Sequence, residues 1–236
     1  PHVETAAGMI LPDDYMKAIG AAMREVGGLF VLDSIASGTM WVDMETCNVD
    51  VLISAPQKGW SASPCGAFVM MNERARERVA ASKTTSFATD LKKWTEIMDA
   101  YTNGGHAYHA TMPTDALVSF HKTMKETESY GFDKLKSQQA ELGQRVRALL
   151  ASKGFRSLAA DGFEAPGVVV CYTSDPEIQN GKKFAGEGLQ TAAGVPLMIG
   201  EPDDFSTFRL GLFGLDKLQN IDRAVERLEK ALNAMA

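Results

Sequence analysis

Short apolar runs alternate along this chain with longer stretches of helical periodicity. LFVLD (29–33) and VDVLIS (49–54) are typical of buried strands, and a third apolar run covers residues 66–71. A helical pattern over residues 12–26 precedes the first run, and a charged helix begins near Glu73. Strands joined by crossover connections pair in parallel. The alternation therefore predicts an α/β fold with a mainly parallel sheet and excludes all-α and all-β folds.

A second region of different organisation follows. Gly131 separates an amphipathic helical pattern from a long polar helix and is interpreted as a hinge. The elements predicted here are helices at 114–130, 133–153 and 220–234 and strands at 168–172 and 207–212. We expect a large domain over residues 1–131 and a smaller C-terminal α+β domain over residues 132–236.

Composition narrows the function classes. The chain has 24 basic and 30 acidic side chains, for a net charge of −6, which argues against nucleic acid or an anionic membrane as partner. No apolar stretch reaches the roughly 18 residues that a membrane span needs. Three cysteines without paired spacing indicate neither disulfides nor zinc, and they favour the cytoplasm. His106 and His109 have no third ligand nearby, so we expect packing there and no metal.

Asp33 and Lys58 each follow a predicted strand. Asp33 closes LFVLD, and Lys58 comes shortly after VDVLIS, in SAPQKGWSASPCG. Ligands of open α/β sheets bind at the carboxyl ends of the strands, so an acid and a lysine are expected at one edge. A lysine amine forms imines with carbonyl compounds such as pyridoxal 5′-phosphate (PLP), whose ring nitrogen pairs with an acidic residue. Taken singly, Asp33 would be a turn cap and Lys58 an exposed loop residue; together they favour a cofactor site.

Five motifs in order along the chain resemble those of class V aminotransferases, which are fold-type I PLP enzymes. They are HVETAAG, VLDSIAS, SAPQKGWSASPCGAFV, YHATMP and FRLGLFG. Within the family the chain is most similar to alanine–glyoxylate and serine–glyoxylate (serine–pyruvate) aminotransferases. The family's N-terminal portion, with its phosphate loop, has no counterpart, so the resemblance indicates a truncated product or one piece of such an enzyme.

The resemblance implies roles for three residues at the predicted strand ends. Lys58 would form the Schiff base with PLP and then act as the general base of the reaction. Asp33 would pair with the pyridinium nitrogen, and Gln57 would hydrogen-bond near the phosphate or the ring.

Four further residues take their roles from the same resemblance. Thr5 lies in the segment expected over the ring hydroxyl, although Ala6 and Ala7 replace hydroxyl residues common in relatives. Tyr108 and Thr111 would donate to the cofactor phosphate of the neighbouring subunit, which implies a homodimer with shared active sites. Arg209 would bind the substrate carboxylate, a task that suits a planar guanidinium.

The function expected from these residues is transfer of an amino group from alanine or serine to glyoxylate or pyruvate. One alternative is a non-catalytic fragment that keeps the fold without the cofactor. A second is a PLP enzyme of the cysteine desulfurase type. It is disfavoured because Gln57 rather than histidine precedes Lys58, and because Cys171 lies in a predicted strand.

Overall fold

A computed structural model describes residues 4–235 and has the predicted α/β class. The strands are β1 (Val31–Asp33), β2 (Val51–Ser54), β3 (Phe68–Met71), β4 (Val168–Tyr172), β5 (Ala192–Ala193) and β6 (Thr207–Gly211). The helices are α1 (Asp13–Glu25), α2 (Glu73–Ala81), α3 (Leu91–Thr102), α4 (Thr114–Tyr130), α5 (Phe132–Ser152), α6 (Pro176–Gln179), α7 (Lys182–Gly186), α8 (Leu215–Leu218) and α9 (Ile221–Ala234). His2 and Val3 of the motif HVETAAG lie outside the described residues.

The first sheet has the order β1-β2-β3. β1 and β2 are parallel, as predicted, with Asp33 opposite Ile53. The expected parallel direction of β3 was wrong, because β3 runs antiparallel to β2 with Phe68 opposite Ser54. The connection over residues 55–67 forms turns rather than a crossover helix, so the chain re-enters the sheet at the edge it has just left.

A buried carboxylate ties together the amino ends of β1 and β2. Asp50 is fully buried and accepts hydrogen bonds from the backbone N–H of Phe30 (2.8 Å) and the side chains of Asn72 and Arg74 (3.0 Å each). Burial raises the pKa of Asp50, but these donors outweigh it and hold the pKa below its usual range. On one face of the sheet, α1 buries Met16.

The C-terminal part is a second, antiparallel sheet of order β4-β6-β5, packed against α5 and α9. The long polar helix predicted after Gly131 is α5, and it has one apolar side, since Leu135, Leu142 and Val146 are buried and Leu149 packs against the same core. Phe208 on β6 is also fully buried there.

Several contacts join the two parts around the start of α5. Gly131, between α4 and α5, has a φ of 104°, which glycine adopts without strain. Trp41 donates from Nε1 to the carbonyl of Phe132 at 3.1 Å, and Lys136 donates from Nζ to the carbonyl of Trp41 at 3.0 Å. Trp60 packs against Trp41 and Phe132. The division into two domains at residue 131 stays a prediction.

Helix α3 was not predicted from the sequence. Asp90 caps this helix by accepting a hydrogen bond from the Lys93 N–H at 3.1 Å, and a capping aspartate before an amphipathic stretch was available as a signal. None of the helices described within residues 4–235 has the length and apolar character to cross a membrane.

Candidate active site

The carboxyl ends of β1 and β2 bring the predicted acid and lysine to the same edge of the sheet. Asp33 is half-buried at the end of β1, and one of its carboxylate oxygens accepts a hydrogen bond from the Ile35 N–H at 2.9 Å. The next residue, Ser34, donates its N–H to the carbonyl of Ile53 on β2 at 2.8 Å. The parallel pairing therefore continues to the point where the chain turns, and it fixes where Asp33 lies.

Lys58 lies in a compact loop that follows β2. Its carbonyl accepts a hydrogen bond from the Ser61 N–H at 3.0 Å. Gly59 packs directly on Gly38 of the loop after β1, so closely that an added Cβ would lie 1.7 Å from the Gly38 carbonyl oxygen. The two loops that follow Asp33 and β2 are thus in contact, and only glycine at position 59 permits this approach.

The Lys58 side chain is half-buried and directed towards the C-terminal part. Its Nζ lies 5.9 Å from the centroid of the Phe213 ring, within the range of a cation–π interaction. Phe213 also fills the space beside Gly38 and Gly167, where added Cβ atoms would lie 3.2 Å and 3.0 Å from its ring. Phe213 belongs to the motif FRLGLFG, in which only Arg209 was predicted to have a role. It forms one wall around Lys58.

Glu4 is a second residue that sequence reasoning passed over. It is 1% exposed, and its Oε1 accepts a hydrogen bond from the Gly167 N–H at 3.0 Å. Its Oε2 is buried without a hydrogen-bond partner among the described residues. Burial raises the pKa of Glu4 to about 8, although the Gly167 N–H and the charge of Arg147 both lower it. An acidic residue inside the apolar motif HVETAAG was the available signal.

Arg147 reinforces the same junction. Its guanidinium donates to the carbonyls of Gly8, Ala165 and Val168 at 3.1, 2.7 and 3.2 Å. Residues 4–10 form a hairpin in which Glu4 pairs with Ile10. This hairpin is therefore fastened to the residues that lead into β4.

Thr5 and Gln57 lie on separate segments, the hairpin of residues 4–10 and the loop that follows β2. The Oγ1 of Thr5 accepts a hydrogen bond from the Met9 N–H at 3.4 Å, so the hydroxyl lies within the hairpin turn. Gln57 is exposed in the loop that carries Lys58. Their expected cofactor contacts stay predictions.

Tyr108 and Thr111 form a separate exposed group. Tyr108 is 77% exposed, and its hydroxyl lies 3.3 Å from the Thr111 hydroxyl. Between them, His109 packs on Phe87 with ring centroids 4.1 Å apart, and its Nε2 lies 2.9 Å from the Phe87 carbonyl. The expected packing role of His109 is confirmed, and two adjacent hydroxyls project from the surface.

Arg209 lies on the central strand of the second sheet. It is half-buried on β6, opposite Val170 on β4 and Ala192 on β5. β6 leads directly to Phe213, so Arg209 and the wall around Lys58 belong to one continuous segment.

The chain matches the aminotransferase class-V family model over residues 1–187. It is 27% identical to a 2-aminoethylphosphonate–pyruvate transaminase of Salmonella agona over 90% of the chain. Among solved structures, it is similar to alanine–glyoxylate aminotransferase from Nostoc sp. (TM-score 0.84, 18% identity) and ureidoglycine–glyoxylate aminotransferase from Bacillus subtilis (TM-score 0.81, 21% identity), each over 99% of the chain. These likenesses confirm the fold-type I architecture.

The chain spans 56–60% of the length of these three proteins. The residues present fit the family's cofactor. A carboxylate lies at the end of β1 and an amine in the loop after the adjacent parallel strand β2, and Gly59 lets this loop pack closely on the loop after β1. Such an amine suits a carbonyl carbon, and such a carboxylate suits a protonated ring nitrogen. The chain belongs to the class-V aminotransferase family, whose cofactor is pyridoxal 5′-phosphate.

Proposed function

We propose that this chain carries the lysine-bearing part of a PLP-dependent transaminase. The observation that supports this most directly is the placement of Asp33 and Lys58 after two neighbouring parallel strands. The contact between Gly59 and Gly38 holds the two following loops together at that edge. An enzyme of this class needs an amine and an acid on opposite sides of one ring, and adjacent strand ends can provide both.

In this proposal each residue of the strand ends has a distinct task. When bound, PLP supplies an electron sink for the charge left on the substrate's α-carbon. Lys58 holds the cofactor covalently and, once released, moves the α-proton as a general base. Asp33 keeps the proton on the ring nitrogen through a charge-assisted hydrogen bond. Gln57 and Thr5 are proposed as further cofactor contacts near the phosphate and the ring hydroxyl.

The proposed substrates are a small amino donor and a 2-oxo acid, bound through Arg209. A guanidinium makes two parallel hydrogen bonds to a carboxylate, so it selects acids by geometry as well as charge. We propose alanine or serine as donor and glyoxylate or pyruvate as acceptor. A 2-aminoethylphosphonate donor is the second candidate, favoured by the 27% identity to the Salmonella agona enzyme.

We further propose a cytoplasmic homodimer in which Tyr108 and Thr111 complete the partner's site. Their hydroxyls are adjacent and Tyr108 is 77% exposed, as expected for groups that serve another subunit. The free cysteines are consistent with a reducing compartment.

Two alternatives remain distinct from this proposal. A non-catalytic fragment would keep the fold but not hold PLP, and the 56–60% span of the relatives motivates it. A desulfurase would need a nucleophilic thiolate. Burial raises the pKa of the Cys171 thiol to about 11 and also raises that of Cys47, which disfavours both as nucleophiles.

Covalent trapping of PLP tests the lysine assignment. The protein is incubated with PLP, its visible absorbance is recorded, and borohydride reduction is followed by peptide mass mapping. We expect a visible band and modification of the peptide containing Lys58. Lys58→Ala should lose the band, whereas Lys122→Ala, at an exposed lysine, should retain it.

The outcomes separate the alternatives. A band that survives in Lys58→Ala would overturn the lysine assignment. If the chain gives no band but a longer product of the same gene does, the fragment interpretation holds for the chain alone. Rates with alanine, serine and 2-aminoethylphosphonate against glyoxylate and pyruvate would then identify the substrates.

A further inference from the structure

A cavity of about 350 Å³ lies in the C-terminal part, between α5, β6, α9 and residues 189–191. Its floor is apolar and formed by side chains that are 1–7% exposed: Leu142, Val146, Leu210, Leu212 and Leu228. The volume falls within the range of small-molecule sites. Leu210 and Leu212 face this cavity, and Arg209 alternates with them along β6, so the proposed substrate arginine lies on the other face of the sheet.

The rim of the cavity carries two arginines one helical turn apart on α9. Arg223 donates from Nη2 to the carbonyl of Asp216 and Arg227 donates from Nη2 to the carbonyl of Gly188, each at 2.9 Å. Neither guanidinium forms an ion pair with any carboxylate within residues 4–235. By contrast, nearby Arg145 pairs with carboxylates at 2.7 and 3.3 Å.

The start of α9 contributes to the positive potential at this rim. Lys217 and Asp216 also line the cavity, but their side chains pair at 3.4 Å, so together they add little net charge there. Arg223 lies in the first turn of α9, where the helix dipole is already positive and acidic residues are preferred. Asp222 in the same turn is engaged with Arg145. Two guanidinium groups without a carboxylate partner in residues 4–235, those of Arg223 and Arg227, thus lie beside an apolar floor.

We propose that this cavity binds an amphipathic monocarboxylate, with its carboxylate between Arg223 and Arg227 and its apolar chain on the leucine floor. Two guanidinium groups offer parallel donors that match a carboxylate. The apolar chain of the ligand adds affinity in proportion to the area of the leucine floor that it removes from water. A bare inorganic anion would leave this floor exposed to water. The ligand site is independent of the proposed PLP site, because it uses the helix-covered face of the second sheet.

Titration calorimetry of the whole chain with sodium octanoate tests this proposal. We expect saturable one-to-one binding, weaker binding of butyrate and no saturable binding of octylammonium. Arg223→Gln and Arg227→Gln should each raise Kd about tenfold, the loss expected for one hydrogen bond between charged groups. Lys230→Gln, at an exposed position on α9 outside the cavity, should leave Kd unchanged.

A space-filling variant provides a second measure that does not depend on charge. Ala224 lines the cavity, so Ala224→Phe should abolish octanoate binding while thermal unfolding verifies that the variant is folded. The proposal is overturned if octanoate does not bind saturably, as when a second copy or another segment covers the cavity. It is equally overturned if both arginine variants bind as the unmodified chain does.

Discussion

Replacing Glu4 by glutamine preserves the shape of a fully buried side chain but removes its ability to ionise. In the folded protein, Oε1 accepts the Gly167 N–H and Oε2 has no hydrogen-bond partner within the described residues. Burial raises the pKa of this carboxyl from 4.5 to about 8. At neutral pH, Glu4 is therefore protonated in the folded state and ionised in the unfolded state.

The sign and size of the effect follow from this difference. Between pH 4.5 and about 8 the folded state holds one proton that the unfolded state lacks, so stability falls as pH rises through this window. Each pKa unit corresponds to about 1.4 kcal/mol, so the shift from 4.5 to about 8 corresponds to about 5 kcal/mol of unfolding free energy. Relaxation of the structure around Glu4 would reduce this value. Glutamine does not titrate, so Glu4→Gln gains stability relative to the unmodified chain as pH rises towards 8, and the gain is constant above it.

Urea unfolding followed by tryptophan fluorescence at about pH 5, 7 and 9 measures this gain. The difference in unfolding free energy between Glu4→Gln and the unmodified chain should change by several kcal/mol from the lowest to the highest pH. Glu187→Gln, at an exposed position, should show the same small difference throughout. If the Glu4→Gln difference is also independent of pH, Glu4 is not a protonated buried acid and the reasoning is refuted.

Three further substitutions test the strand ends and the exposed hydroxyls. Gly59→Ala should lower the thermal midpoint, since its methyl group would lie 1.7 Å from the Gly38 carbonyl oxygen and displace the loop that carries Lys58. Asp50→Ala should lower the urea unfolding free energy by about 3–5 kcal/mol, because it removes a buried ion-pair partner. Tyr108→Phe should change the unfolding free energy by less than about 0.5 kcal/mol, yet weaken PLP binding in spectroscopic titration by removing a phosphate donor.

Each of these variants has a matched control in the chain. Gly66→Ala introduces a methyl group into open space, so it should leave the thermal midpoint unchanged. Asp161→Ala removes an exposed carboxylate, and Tyr101→Phe alters an exposed tyrosine on α3. If a variant and its control lower the thermal midpoint or the unfolding free energy equally, the assigned contact is contradicted. Unchanged PLP affinity in Tyr108→Phe would contradict its phosphate role.

Sequence patterns predicted the elements better than the path between them. The apolar runs ending at Asp33 and Ser54 located β1 and β2, and their parallel pairing follows from the long connection between them. The direction of β3 depends on how residues 55–67 turn, which the composition of β3 does not record. Likewise, the burial of Glu4 comes from a contact with Gly167, 163 residues away, which local periodicity cannot detect.

The same long-range contacts explain why the lysine environment needs the C-terminal part. Glu4 accepts from the N–H of Gly167, and the Gly167 carbonyl accepts from the Leu212 N–H at 2.9 Å, which places Phe213 beside Lys58. A displacement of the N-terminal hairpin would therefore reach the wall around the lysine through two hydrogen bonds. Because burial raises the pKa of Glu4 to about 8, the neutral carboxyl makes this connection at pH 7 without an uncompensated buried charge.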